Sequence, residues 1–250
     1  MKSLTDNHSG AATAKDRIDA NKSISAFFPA LNEEATVARL TQDLLGLIKS
    51  TFVQGEVIII DDGSTDRTRE IADCLAKEND GFVKVIHHKE SRGYGNALKA
   101  GFDAARYDLV FFTDGDYQFD MNDLHRAFPL IAEYDIVVGY RKNRQDPRHR
   151  LLLSRGYNLL VRILFGLKLK DVDCSFKLFK RSALKEISIE SGGYFIDTEI
   201  MVKLKKRGLR IKEISVRHLP RTSGVSKVKM KHIYITLHEI LALWKQVRES

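Results

Sequence analysis

Residues that suit phosphate chemistry cluster in a few short stretches of the chain. In 111–120 (FFTDGDYQFD), Asp114, Asp116 and Gln118 recur at every second position. In extended backbone, alternate side chains share one side, so this spacing predicts three oxygen-bearing groups meeting at one point. Two carboxylates and an amide oxygen are hard ligands that suit Mg²⁺ or Mn²⁺, with substrate phosphates completing the shell. Gly115 between them allows close backbone approach. Asp and Gly are also ordinary turn residues after a strand.

In 57–68 (VIIIDDGSTDRT), Asp61 and Asp62 end an apolar run where they can accept hydrogen bonds from a base or ribose, or else cap the next helix. The stretch 91–101 (SRGYGNALKAG), with Gly93, resembles a glycine-rich phosphate loop at a helix N-terminus. It is not a dinucleotide fingerprint, because no strand-end acid follows about 20 residues on. Arg141, Arg155, Arg221, Ser226 and Lys227 form a cationic set suited to phosphate capture.

These stretches sit at element ends. Strands are expected at 23–30 (stopped by Pro29), 56–61, 83–88 and 108–114, and helices at 32–50, 64–78 and 95–106. Asn32 is the expected N-cap of the first helix, and Ser64 or Thr65 opens the second. Strand–helix units in series predict an α/β fold with an open, mostly parallel, twisted, Rossmann-like sheet flanked by helices. Ligands then bind beyond the carboxyl ends of the strands. Further on, strands are expected at 134–141 and 209–219, a strand and then a helix over 175–184, and helices at 195–208 and 230–250. The apolar, Arg/Lys-bearing segment 150–170 suits a membrane interface or an ordinary core helix. The expected organisation is a flexible tail at 1–22, one domain over 23–230 and an amphipathic helix at 231–250.

Composition narrows the classes. The chain of 250 residues carries 41 Lys+Arg against 33 Asp+Glu, a net +8 that favours anionic partners. Two cysteines exclude a disulfide scaffold and suggest a reducing compartment. A signal peptide and a spanning segment are not expected. Nucleic acid is not an expected partner, since no recognition-helix or zinc pattern accompanies the charge.

The motifs PALNEE (29–34), IIIDDGSTD (58–66), the loop at 91–101 and DGDYQ (114–118) resemble inverting glycosyltransferases of family 2, which have the GT-A fold. GYR (139–141), SRGYN (154–158), DCSFKLFKR (173–181) and RTSGVSK (221–227) resemble the dolichol/polyprenyl-phosphate mannose synthase branch. The resemblance covers roughly 23–230. It implies that Pro29, Ala30, Asn32 and Glu33 hold the nucleoside and that Asp61 contacts base or ribose. It implies a metal and diphosphate site at Asp114, Asp116 and Gln118, and binding of lipid and donor phosphates by Arg141, Arg155, Arg221 and Lys227. This chain has Ser175-Phe176-Lys177 where the family often has Gly-Phe-Arg.

The implied reaction moves a sugar from a nucleotide sugar (GDP-mannose or a UDP-sugar) to a polyprenyl phosphate. It would take place at the cytoplasmic face of a membrane, reached by surface binding or through a membrane-protein partner. A phosphate acceptor is already ionised and needs no general base, whereas a hydroxyl acceptor needs one, with Asp197 and Glu199 as candidates. A hydroxyl acceptor and a non-catalytic nucleotide-sugar-binding protein are the alternative readings.

Overall fold

The computed structural model describes residues 23–142, 144, 148–221 and 230–249. The tail at 1–22 and the sites expected at Ser226 and Lys227 lie outside them. Strands β1 (Ser23–Ala30), β2 (Gln54–Asp61), β3 (Val83–His87) and β4 (Leu109–Thr113) alternate with helices α1 (Val37–Thr51), α2 (Thr68–Glu78) and α3 (Tyr94–Ala104). The short helix α4 (Leu124–Ala127), β5 (Ile136–Lys142), α5 (Arg148–Phe165), β6 (Phe176–Lys180) and α6 (Arg181–Leu184) follow. Then come α7 (Ile196–Lys206), β7 (Ile211–Arg217) and α8 (Met230–Glu249).

The strands form one sheet in the order β3-β2-β1-β4-β6-β5-β7. β6 runs antiparallel to both its neighbours, and every other pairing is parallel. Strand alternation divides the core into two layers. Ile24, Ala26 and Phe28 of β1 join Val57, Ile59 and Phe111 on the face covered by α1 and α2. Phe27, Ile58, Ile60, Val110 and Phe112 join α3 and α7 on the other. A strand covered on both faces has no polar side, which is why β2 reads as an unbroken apolar run.

The chain leaves β1 in opposite directions, to β2 and β3 on one side and to β4 on the other. A crevice therefore opens beyond the carboxyl ends of β1 and β4. Pairing of β1 with β4 ends at Phe27 and Phe112, and the strand continues through Pro29 to Ala30 against β2 alone. Pro29 thus lies past the last pair on one side, a place where a strand tolerates a missing N–H, and it does not stop the strand.

Helix starts differ from expectation for one reason: the polar residues before them serve loops. Asn32 does not cap α1; its φ is 55° and its side chain accepts from the Thr65 N–H at 2.8 Å. α1 begins only at Val37, after Thr36. Ser64 does not cap α2: its hydroxyl oxygen accepts from the Asn32 N–H at 3.0 Å, and α2 opens at Thr68, whose N–H donates to Asp66. The two loops are therefore tied to each other at the crevice.

Candidate functional site

The acid stretch begins where β4 stops. Residues 114–118 form a turn rather than extended backbone, with Tyr117 at φ 57°, so strand alternation does not operate there. Gly115 is fixed by contact, since a Cβ on it would lie 2.5 Å from the Pro29 carbonyl oxygen. Thr36 donates from its hydroxyl to the Gly115 carbonyl at 2.8 Å. The ends of β1 and β4 are thereby locked together, and buried Glu33 lies beside them.

A second clasp brings in a distant cation. Leu219 N–H donates to the Gln118 carbonyl at 2.8 Å, and the Gln118 side-chain amide donates to the Leu219 carbonyl at 3.2 Å. This zipper, extended by the Phe119–His218 bridge, carries Arg221 to Asp116, where the guanidinium donates to the carboxylate at 2.5 Å. Asp114, Asp116 and Glu33 all hold Arg221 in its charged form against the cost of burial.

Asp114 carries the unbalanced charge. Burial, then the charge of Asp116, pushes its carboxyl up to about 7. Tyr94 donates to Asp114 Oδ1 at 3.0 Å. Among the described residues no three His, Cys, Asp or Glu side chains form a ready-made metal cage. The chemistry of the donor set still fits a hard divalent cation: two crowded carboxylates and an amide oxygen, one of the acids short of counter-charge.

The other predicted positions divide. Asp61 is fully buried: its Oδ1 accepts from the Ser64 N–H at 2.9 Å and its Oδ2 meets Arg69 at 2.9 Å and His87 at 2.8 Å. Asp62 pairs with His88 at 2.6 Å and accepts from the Ser91 hydroxyl and the amides of Arg92 and Gly93. Both acids therefore anchor loops in this conformation, and Asp62 does not cap α2. The Gly93 and Arg92 amides are committed to Asp62, so the stretch 91–101 is not an open phosphate cradle.

Arg141 makes a bidentate pair with Asp171, at 2.7 and 2.8 Å, which keeps that carboxyl ionised against burial. Arg141 and Arg155 line a cavity of about 490 Å³ beside α5, together with Arg144, Arg162 and Lys170. Asp197 is ion-paired with Lys177, and both are buried. Glu199 accepts from the amides of Glu190 and Ser191 and pairs with Lys203 at 2.7 Å.

Sequence reasoning missed Tyr94, Asp171 and Lys177 as parts of this region. Lys177 alone left a signal, as a cation inside an apolar strand. Asp173 was also passed over; burial, Asp197 and Asp171 raise its carboxyl to about 7.

The sequence profile of glycosyl transferase family 2 matches residues 25–188. The chain belongs to glycosyltransferase family 2. It is 33% identical to the glycosyltransferase AglD of Haloferax volcanii, over 97% of this chain and 39% of that protein. It is 30% identical to a dodecaprenyl-phosphate galacturonate synthase of Rhizobium johnstonii, over 88% of this chain and 66% of that one. An undecaprenyl-phosphate 4-deoxy-4-formamido-L-arabinose transferase of Pectobacterium carotovorum is 28% identical over 90% of this chain and 68% of its own length. The chain thus spans less than two thirds of the length of the first two relatives.

The fold is shared with glucosyl-3-phosphoglycerate synthase of Mycobacterium tuberculosis, in complex with phosphoglyceric acid, at a TM-score of 0.67 and 20% identity. That match covers 96% of this chain and 85% of the other. The same enzyme with Mn²⁺, uridine diphosphate and glucosyl-3-phosphoglycerate gives 0.62 at 21% identity, over 97% of this chain and 84% of the other. This family 2 chain therefore has the GT-A fold.

Proposed function

We propose that this chain is the catalytic unit of an inverting, divalent-cation-dependent glycosyltransferase that transfers a sugar from a nucleotide sugar to a polyprenyl phosphate at a membrane surface. One observation carries the choice of acceptor: the two α7 carboxylates that the sequence offers as base for a hydroxyl acceptor are both occupied, Asp197 by Lys177 and Glu199 by two amides and Lys203. A phosphate oxygen is already a nucleophile and needs neither. Relatives named for dodecaprenyl-phosphate and undecaprenyl-phosphate transfer agree with this reading.

Asp114 and Asp116, with the Gln118 amide oxygen, would hold Mg²⁺ or Mn²⁺. When bound there, a cation would supply neutralisation of the charge gathering on the leaving diphosphate. Arg221 sits against Asp116 and adds a fixed positive charge beside the site. The ends of β1 and β2, from Pro29 to Glu33 and around Asp61, border the crevice that receives the nucleoside. Arg141, Arg155 and their neighbours in the cavity beside α5 supply the acceptor side with cations; Ser226 and Lys227 are proposed for the same task.

The membrane reading rests on α5 and α8. Leu152, Leu153, Leu159 and Ile163 of α5 are all more than half exposed, and Ile235 and Leu241 of α8 likewise. Apolar residues on helices rimmed by arginine suit the boundary of an anionic bilayer. No helix among the described residues is long and apolar enough to cross one.

A hydroxyl acceptor is the second reading, favoured by Asp173, whose carboxyl at about 7 exchanges a proton near neutrality. The deciding experiment incubates purified protein and Mn²⁺ with a panel of nucleotide sugars, and either a short polyprenyl phosphate or the matching alcohol, reading products by mass. Glycolipid from the phosphate alone is expected, with Asp116→Ala abolishing it. Product from the alcohol alone would establish the second reading.

A further inference from the structure

The turn between β3 and α3 has an arrangement that phosphate binding does not account for. Gly93 has φ 90°, a conformation glycine adopts without strain. Gly95 presses on the 192–193 backbone so closely that a Cβ would lie 2.4 Å from the Gly192 carbonyl carbon. Tyr94 stands between these two glycines. Its ring stacks on Tyr194 with centroids 5.4 Å apart and planes 17° from parallel. Both glycines and the stack fix where one side chain goes.

The hydroxyl of that side chain is where α3, the end of β4, the start of β6 and the first turn of α7 meet. It lies 3.0 Å from Asp114 Oδ1, 3.1 Å from Ser175 Oγ and 3.5 Å from Asp197 Oδ2. A phenol has one proton to give. The buried Lys177 ammonium pairs with Asp197 Oδ1 and also donates to the Cys174 carbonyl at 2.8 Å, so the Oδ2 that faces Tyr94 belongs to a carboxylate whose charge is already balanced. The Asp114 contact is the shorter of the two, so the Tyr94 proton goes to Asp114, and the Ser175 hydroxyl lies against both the phenol oxygen and the Asp114 carboxyl. Ser175 is buried and Tyr94 partly so, which leaves the pair few other conformations.

We propose that Tyr94 is a positioning residue, its hydroxyl, backed by Ser175, holding the Asp114 carboxylate in the orientation that receives a divalent cation. The role rests on the cation reading of Asp114 given above. Carboxylates that ligate metals are ordinarily oriented by a hydrogen-bond donor behind them. The Lys177–Asp197 pair stands one step further back: balancing the Asp197 charge makes its Oδ2 the weaker acceptor for Tyr94.

Tyr94→Phe keeps the ring and its stack and removes only the hydroxyl. Mn²⁺ binding is measured by electron paramagnetic resonance in the presence of uridine or guanosine diphosphate, alongside metal-free nucleotide binding and thermal unfolding. Loss of such a donor weakens metal affinity by about 10–100-fold, so Tyr94→Phe is expected to weaken Mn²⁺ to that extent while metal-free nucleotide binding holds. Saturating Mn²⁺ is expected to restore turnover, which loss of folded protein would not allow.

Ser175→Ala is expected to shift Mn²⁺ affinity in the same direction by less, and it decides the matter if Tyr94→Phe does not fold. Wild-type Mn²⁺ affinity in both variants overturns the role of Tyr94 and leaves the cation reading standing. Absence of Mn²⁺ binding by the wild-type chain, with either nucleotide, overturns both.

Discussion

His87 lies between two carboxylates, 2.8 Å from Asp61 and 2.9 Å from Asp73. Burial disfavours its charge, but the bonds to Asp61 and Asp73 win and raise its pKa above 6.5. Asp61 is shifted the other way: burial opposes its charge, and His87, Ser64 and Arg69 overcome it. A group whose pKa rises on folding stabilises the fold fully below its unfolded value, and that contribution disappears as pH passes the raised value. His87→Ala should therefore lower the thermal midpoint most below pH 6.5 and progressively less as pH rises through the elevated pKa. Melting curves across that range check it; a deficit independent of pH would show that His87 acts by packing alone. None of this was legible locally. Asp61 and His87 are 26 residues apart, and only the parallel pairing of β2 with β3 places them side by side.

At the scale of elements, two helical glycines make opposite demands. A Cβ on Gly101 of α3 would lie 2.2 Å from the Phe27 ring, whereas one on Gly46 of α1 meets nothing within 4 Å. Alanine at an open helix position gains up to about 1 kcal/mol over glycine, while overpacking a tight core costs about 1–3 kcal/mol. Gly46→Ala is expected to raise the urea midpoint and Gly101→Ala to lower it. Equal shifts in one direction would mean that α3 can lift off β1 freely. The strands and helices themselves were readable from periodicity, because each is buried on faces that repeat every two or 3.6 residues. Their starting points were not. Asn32, Ser64 and Asp62 have the chemistry of caps, yet each is drawn into a loop by a partner about 30 residues away.

At the scale of the whole molecule, charge and apolar exposure coincide beside α5. Arg155 and Arg162 face the cavity whose rim carries Leu159, and Leu152 and Ile163 stand 71% and 70% exposed on the same helix. If this side meets a bilayer, the chain should co-sediment with vesicles containing anionic lipid and less with neutral ones. Leu152→Ser combined with Ile163→Ser should reduce that binding while leaving turnover of a short, water-soluble polyprenyl phosphate intact. Unchanged sedimentation would remove α5 from the membrane contact.

The amino-acid sequence by itself determined the class of fold and the family, and it singled out Asp114 and Asp116 as candidates, because strand burial, helix periodicity and short motifs are properties of neighbours along the chain. It also exposed the basic surplus and the apolar, arginine-bearing segment that became α5. Tertiary structure alone decided which groups are spent. Asp61, Asp62, Asp197 and Glu199 read alike as acids near strand or helix ends, but groups outside their own elements engage each of them, the Glu190 and Ser191 amides in the case of Glu199. It also decided which distant residues meet: Arg221 reaches Asp116 across 105 positions and Ser175 reaches Tyr94 across 81. Such pairings depend on strand order and on loops crossing at the sheet edge, and no local pattern of residue types encodes them.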